Sequence, residues 1–190
     1  MKKGFTMLEL VFVIVVIGIL AASIIPNTRS HPVREAATDL VSKIRYTQHL
    51  AMVDDKANIN SNWYKNRWQV KFQGNTYSIL SKDKNNNLVY ATDPLKRSTT
   101  ISNIDLNDKY SVSITVSGTE CGVAGSGGEH VIAFDHLGRP IAGDLNNLIS
   151  SYSGTNVQLV KSNDCNIILT NGSESATINI QPETGYTHIN

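Results

Sequence analysis

The 190-residue chain predicts an α+β protein: a long N-terminal helix, membrane half plus amphipathic half, joined to an antiparallel β-sheet or sandwich-like head. Three observations carry this. An apolar run fills residues 5–25, a helical stripe follows it to about Val53, and period-two alternation begins near Trp68.

The apolar run comes first. Phe5 to Ile25 reads FTMLELVFVIVVIGILAASII, in which 17 of 21 residues are apolar and only Thr6, Glu9 and Ser23 are clearly polar. At about 1.5 Å per residue such a helix covers roughly 30 Å, the thickness of a bilayer core. It is too long for the apolar part of an ordinary secretory signal. Ala21-Ala22-Ser23 mimics a cleavage site, but Ile24-Ile25 and more helical pattern follow it. Lys2 and Lys3 favour a cytoplasmic N-terminus, a bias that Arg29 and Arg34 beyond the run weaken. Glu9 is the informative residue. A carboxylate inside a membrane costs at least a few kcal/mol without a partner. The run contains no Lys, Arg or His, so a cationic partner must come from outside it. The chain is therefore expected to assemble.

Pro26 stands one residue past the run, where a proline kinks or ends a helix. Ser30 and His31 precede Pro32, a pattern that starts a new helical segment with proline in its first turn. Within residues 26–53, Val33, Ala36, Ala37, Leu40, Val41, Ile44 and Ala51 fall near one face. Arg34, Glu35, Asp39, Lys43 and Arg45 lie elsewhere, with Asp39 and Lys43 an expected i,i+4 pair. One apolar stripe needs a cover, which the following domain must supply. Residues 54–66 read as a polar linker and residues 67–190 as the head.

In the head, Trp68, Val70 and Phe72 alternate with Gln69 and Lys71, Gly74-Asn75 turns the chain, and Thr76–Leu80 returns. This is a β-hairpin signature. Further strands are expected at Leu88–Ala91, Thr100–Ile104, Tyr110–Val116 and Val131–Phe134. Others follow at Val157–Val160, Ile167–Thr170, Thr177–Ile180 and Tyr186–Ile189. Gly118–Glu129 is the longest stretch without a pattern. Short strands between Gly, Asn and Pro clusters read as one antiparallel sheet or two. Cys121 and Cys165 lie far from the apolar run. If exported, they sit in an oxidising compartment and pair, closing a loop of about 45 residues worth about 4 kcal/mol. The alternative is two buried free thiols.

Charge excludes some classes. The formal net charge is +1, and without residues 1–4 the balance is 15 basic against 16 acidic residues, or −1. A nucleic-acid or polybasic membrane binder needs clustered Lys and Arg instead.

Gly4-Phe5-Thr6-Met7-Leu8-Glu9-Leu10, followed by a long apolar helix and Pro26, resembles the class III leader of type IV pilins and pseudopilins. The resemblance implies that residues 1–4 are a leader and 5–25 a transmembrane helix. It also implies that a prepilin peptidase cuts between Gly4 and Phe5 and methylates the Phe5 amine. Glu9 then becomes the fifth mature residue, and its family role is to meet the Phe5 amine of a neighbouring subunit during docking. A neutralised pair in lipid is much cheaper than a lone charge. In the head, Val131 through Pro140, Ile167 through Thr170, Ala176 through Ile180 and Thr184-Gly185-Tyr186 resemble the GspH/FimT group of minor pseudopilins.

The implied function is a minor pilin or pseudopilin of a type II secretion, type IV pilus or competence machine. It waits in the bacterial inner membrane, with its N-terminus cytoplasmic and its head periplasmic, and then joins the filament or its tip. Implied partners are prepilin peptidase, other major and minor pilins or pseudopilins, the inner-membrane assembly platform and membrane lipid. A pilus-tip DNA receptor is the alternative. Nucleic acid is not favoured, because Gly185-Tyr186-Thr187-His188 stands where DNA-binding relatives carry Gly-Arg and a second basic residue. A membrane-anchored periplasmic enzyme is a third reading.

Nothing in the head forms a convincing catalytic set, and no cofactor is expected. Asp135 through Gly138 reads as a turn rather than a catalytic Asp135-His136 pair. Gly125 through His130 lacks the Gly-Lys-Ser/Thr ending of a phosphate loop, and Asp54, Asp55, Asn58 and Asn60 lack calcium-loop spacing. Two cysteines without a CxxC do not make a zinc site. Asn171-Gly172-Ser173 reads as a turn between strands rather than a glycosylation acceptor. Trp63, Tyr64 and Trp68 are either core or a partner surface.

Overall fold

The computed structural model of the chain describes residues 6–24, 31–57, 59–118, 120–121 and 128–190. It divides into two units, residues 1–31 and 32–190. The first unit holds helix α1 (Met7–Ile24). The expected kink at Pro26 lies outside the described residues.

The second unit is α+β. Helix α2 (Pro32–Val53) opens with proline, whose missing N–H costs nothing in a first turn. Val33, Ala36, Ala37, Leu40, Val41, Ile44 and Ala51 are all buried. The head they pack on begins with strands β1 (Gln69–Gln73), β2 (Thr76–Lys82), β3 (Leu88–Tyr90), β4 (Ile104–Asp105) and β5 (Ser113–Ser117). A short helix, α3 (Leu106–Tyr110), separates β4 from β5. The remaining strands are β6 (Glu129–Phe134), β7 (Pro140–Ala142), β8 (Leu148–Ser150), β9 (Ser153–Gly154) and β10 (Val157–Leu159). Last come β11 (Cys165–Thr170), β12 (Ser175–Ile180) and β13 (Thr187–Ile189).

Among the described residues these strands make two antiparallel sheets. The larger runs β3-β2-β1-β6-β7-β10-β9-β8, with β4 also paired to β2; the smaller runs β13-β12-β11-β5. Helix α2 packs against β1 and β6 of the larger sheet and β11, β12 and β13 of the smaller. Alternation along β1 and β6 sends Val70, Phe72, Ile132 and Phe134 toward that helix. Ala133 therefore points the other way. With Ile141, Leu145, Leu148 and Val157 it forms a second small core, which Tyr64 and Tyr152 pack against.

Several expectations are corrected. Asp39 and Lys43 do not pair with each other. Lys43 lies in the buried face and donates to Asp93 Oδ1 at 3.1 Å; Asp39 accepts from Lys109 at 2.9 Å and from the Tyr110 hydroxyl at 3.3 Å. Asp93 is already held by the Leu95 amide at 2.9 Å, so its carboxylate is pre-positioned where a partner one helical turn away would not be. Tyr110 ends a helix instead of starting a strand. Asp105 Oδ1 caps α3 by accepting from the amides of Asn107 at 2.7 Å and Asp108 at 3.3 Å. Of the strand expected at Thr100–Ile104, only Ile104 enters a ladder, while Thr100 forms an isolated bridge to Thr92.

Of the three aromatics left open by sequence, Trp68 is buried, while Trp63 and Tyr64 are half-buried, Tyr64 against the second core. Trp68 donates through Nε1 to Asp54 Oδ2 at 2.9 Å. The Arg67 guanidinium lies 5.0 Å from the Trp63 ring and 4.8 Å from the Tyr152 ring, and donates to the Ser151 carbonyl at 2.6 Å. Burial pushes the Arg67 pKa down, and the two rings and that carbonyl shelter its charge.

Cys121 and Cys165 are joined in a disulfide, their Cα atoms 5.1 Å apart. Beside it Gly118 has φ +113°, and a Cβ there would stand 2.7 Å from the Asp164 carbonyl. Only glycine allows that approach. Glu120 completes the clasp, accepting from the amides of Lys161 and Ser162 at 2.7 and 3.2 Å and from the Ser162 hydroxyl at 2.7 Å.

Leu40→Ala should lower the unfolding free energy by about 2–5 kcal/mol, and reducing the disulfide by about 4 kcal/mol. Urea unfolding of the full chain, with and without reductant, measures both. A loss below about 1 kcal/mol for Leu40→Ala would contradict a helix face that is closely covered.

Candidate functional site at the N-terminus

Helix α1 begins at a cap that its own sequence supplies. Thr6 Oγ1 accepts from the Glu9 amide at 3.3 Å, and the Thr6 carbonyl accepts from the Leu10 amide at 3.2 Å. Thr6-Met7-Leu8-Glu9 thus has the threonine-to-glutamate spacing of a capping box. Glu9 sits in the first turn, at the positive end of the helix dipole, where a carboxylate is favoured. Sequence reasoning singled out Glu9 and missed Thr6, although that spacing was its signal.

Beyond this turn the helix is apolar on every side. Leu8, Phe12 and Ile19 are exposed, and so are Leu10, Ile14 and Ile17 on other faces. A helix without a polar face is stable only where something apolar surrounds it. Among the described residues no helix is long and apolar enough to cross a membrane. At about 1.5 Å per residue α1 measures roughly 27 Å, just short of a bilayer core. The expected span, residues 5–25, runs past the described residues at both ends, and Gly4 and Phe5 also lie outside them.

Comparison with known proteins bears on this segment. Residues 1–25 match the family model described as the prokaryotic N-terminal methylation motif. The chain carries a type IV pilin-like leader. No curated protein and no solved structure matches the chain.

The head's candidate chemistry resolves into structure. Asp135 is fully buried and its carboxylate is saturated. Oδ1 accepts from the amides of Leu137 at 2.9 Å and Arg139 at 2.8 Å. Oδ2 accepts from Arg139 Nε at 2.8 Å and the Tyr152 hydroxyl at 3.1 Å. His136 is exposed on the turn, and Gly138 takes φ +80°. Asn171 Oδ1 accepts from the amides of Ser173 at 3.2 Å and Glu174 at 2.9 Å, the geometry of a turn between β11 and β12. Residues 125–127 of the glycine-rich stretch lie outside the described residues, as does Asn58. Among the described residues no cluster of His, Cys, Asp and Glu is arranged to hold a metal.

Burial opposes ionisation of Asp135, but the Arg139 amide and guanidinium and the Leu137 amide outweigh it and hold its pKa below the usual carboxylate range. Its contribution to stability is therefore complete above a pH of about 3.9, the unfolded value, and is lost as pH falls through the depressed folded value. Asp135→Ala leaves the Leu137 and Arg139 amides and the Tyr152 hydroxyl without their acceptor and should cost about 1–3 kcal/mol at neutral pH. The variant should also lose less stability than the parent on acidification, which urea midpoints at several pH values would record. An identical acid limb in parent and variant would remove this role.

Proposed function

We propose that this chain is a minor pilin or pseudopilin of the GspH/FimT type, a structural subunit that a prepilin peptidase processes before it enters a filament. The observation that carries the reading is the methylation motif over residues 1–25, with Glu9 as the only Asp, Glu, Lys, Arg or His in the apolar run.

Phe5–Ile25 anchors the precursor in the bacterial inner membrane, with the head in the periplasm. The disulfide supports that side, since such bonds persist in oxidising compartments. Cleavage after Gly4 frees the Phe5 amine, which stays cationic after methylation. That amine on one subunit neutralises Glu9 on its neighbour and so selects the register in which helices pack. The Thr6 cap holds the first turn, so the acid is presented close to the helix start rather than on a frayed end. The apolar sides of α1 then pack on neighbouring helices or lipid, while the head faces other minor subunits.

Glu9→Ala and Glu9→Gln should insert and be cleaved normally but enter filaments poorly, with incorporation reduced tenfold or more, about 1.4 kcal/mol of lost docking energy. Sheared-filament fractions and crosslinking measure this. Gly4→Trp should block cleavage and leave insertion intact, read by intact-mass spectrometry. Filament entry by Glu9→Ala at the parental level, or an uncut and unmethylated parental chain, would sink the proposal.

A further inference from the structure

The outer face of the larger sheet, away from α2, carries a groove of about 150 Å³ that the N-terminal reading does not use. Its floor follows from strand register. Val70 and Phe72 point to the helix, so Gln69, Lys71 and Gln73 point into the groove. Pairing of Gln69 with Leu80 on β2 and Ala133 on β6, and of Leu80 with Tyr90 on β3, lays Tyr90, Leu80, Gln69 and Ala133 in one row. Gln69 is central. At one end of the row the second core begins, and at the other Tyr90 and Leu88 form a rim.

Gln69 is only 7% exposed, yet among the described residues its carboxamide has no hydrogen-bond partner in the protein, and its atoms are not sealed off. An amide covered on most sides but open to the groove can exchange its water there for a ligand hydroxyl. The Gln73 carboxamide at the groove mouth is likewise without a partner among the described residues. Asn103 and Asn146 line the walls, Asn103 Oδ1 accepting from the Ser78 hydroxyl and Asn146 Nδ2 donating to Asp144, so Gln69 and Gln73 are the amides open to a ligand.

Charge narrows the ligand. Lys71 and Lys82 are matched by Glu129 and Asp144, so the lining is neutral overall. Lys71 is paired to Glu129 at 2.7 Å, and Lys82 donates to Asn146 Oδ1 at 2.7 Å, tying the 145–147 turn over the sheet. The two ammoniums are balanced by two carboxylates in the same lining, so a nucleic acid or phosphorylated ligand gains little here. A carboxamide both donates and accepts, which matches a pair of adjacent hydroxyls. An aromatic rim gives the slightly positive C–H face of a sugar ring a negative surface to lie on.

We propose that this groove binds an uncharged saccharide, with Gln69 hydrogen-bonding ring hydroxyls from below and Tyr90 stacking at the rim. The assignment is independent of the assembly role of the N-terminus. The shared chemistry fits N-acetylated amino-sugar strands of a cell wall and plain hexose polymers alike.

The test uses the full chain in a zwitterionic, sugar-free detergent, titrated with chitotetraose, cellotetraose and maltotetraose by calorimetry and saturation-transfer NMR. At least one should bind with a dissociation constant below about 1 mM, a weak but specific affinity. Gln69→Leu should weaken binding about tenfold or more, the loss of one buried hydrogen-bond partner, and Tyr90→Ala similarly. Preference for chitotetraose indicates wall-type amino sugars; preference for either hexose polymer indicates a plain glucan. Should Gln69→Leu misfold by circular dichroism, Tyr90→Ala and Gln73→Ala, both at the edge of the groove, decide the matter. The proposal is overturned by no binding of any tetrasaccharide at 10-fold above that limit, about 10 mM. Affinity unchanged by the groove variants overturns it too. So does Tyr90-dependent binding of an uncharged Ala-Ser peptide with no sugar binding.

Discussion

Burial of one face of α2 holds together two sheets that share no ladder among the described residues. The stripe from Val33 to Ala51 supplies the energy, since each large apolar side chain removed from water contributes about 1.5–3 kcal/mol. Apolar contact alone would leave the helix free to rotate or slide. Polar pins remove that freedom, and each reaches a different element. Lys43 ties to Asp93, Asp39 to Lys109, and Gln48 Nε2 to the Gly138 and Thr184 carbonyls at 2.8 and 3.0 Å. The last pin joins the turn before β7 to the turn before β13. A cation at Lys43 can sit in the buried face because Asp93 pairs it there, where an unpaired ammonium would be expelled.

What sequence reveals here follows the range of the interactions. The α2 stripe and the first hairpin are periodic and local, so Leu40, Ile44, Val70 and Phe72 could be assigned without any partner. The short helix at Leu106–Tyr110 was hidden because Tyr110 through Val116 carries strand-forming residues. The cap at Asp105 favours a helical turn there over that preference. Strands β7, β8 and β9 were missed because each is only two or three residues long, and β8 and β9 lie among Asn, Ser and Gly. The partners of Lys43 and Asp39 lie 50 and 70 residues away, beyond any spacing rule. The Asp135 turn was legible from Asp and Gly, whereas the carboxylate's union with Tyr152 was not. Gln69 is harder still. On an alternating strand it looks like any solvent-facing residue, and only register and the second core reveal that it is covered.

The N-terminal segment and the head pose different chemical problems. In α1 the question is how an apolar rod tolerates one acid, and the answer begins with position: Glu9 lies in the capped first turn, not in mid-helix. In the head the question is how a modest core stays fixed. There the disulfide and the Glu120 clasp fasten one pair of segments, and the Asp135–Arg139–Tyr152 cluster fastens another. The matched family model covers residues 1–25 alone, so the head's individuality rests on its own packing.

Arg45 illustrates how that packing decides what the molecule can become. Its Nε and Nη2 both donate to the Thr187 carbonyl, at 3.1 and 2.6 Å, while the guanidinium lies 5.7 Å from the Tyr186 ring. Thr187 opens β13, the outermost strand of the smaller sheet on that side. A foreign strand approaching there meets an acceptor already taken by a cation. The opposite margin, β5, carries no such lock on its ladder groups among the described residues, apart from the Ile114 amide given to Asn75. At the β13 flank, that cation makes one position of the sheet margin unavailable to an added strand.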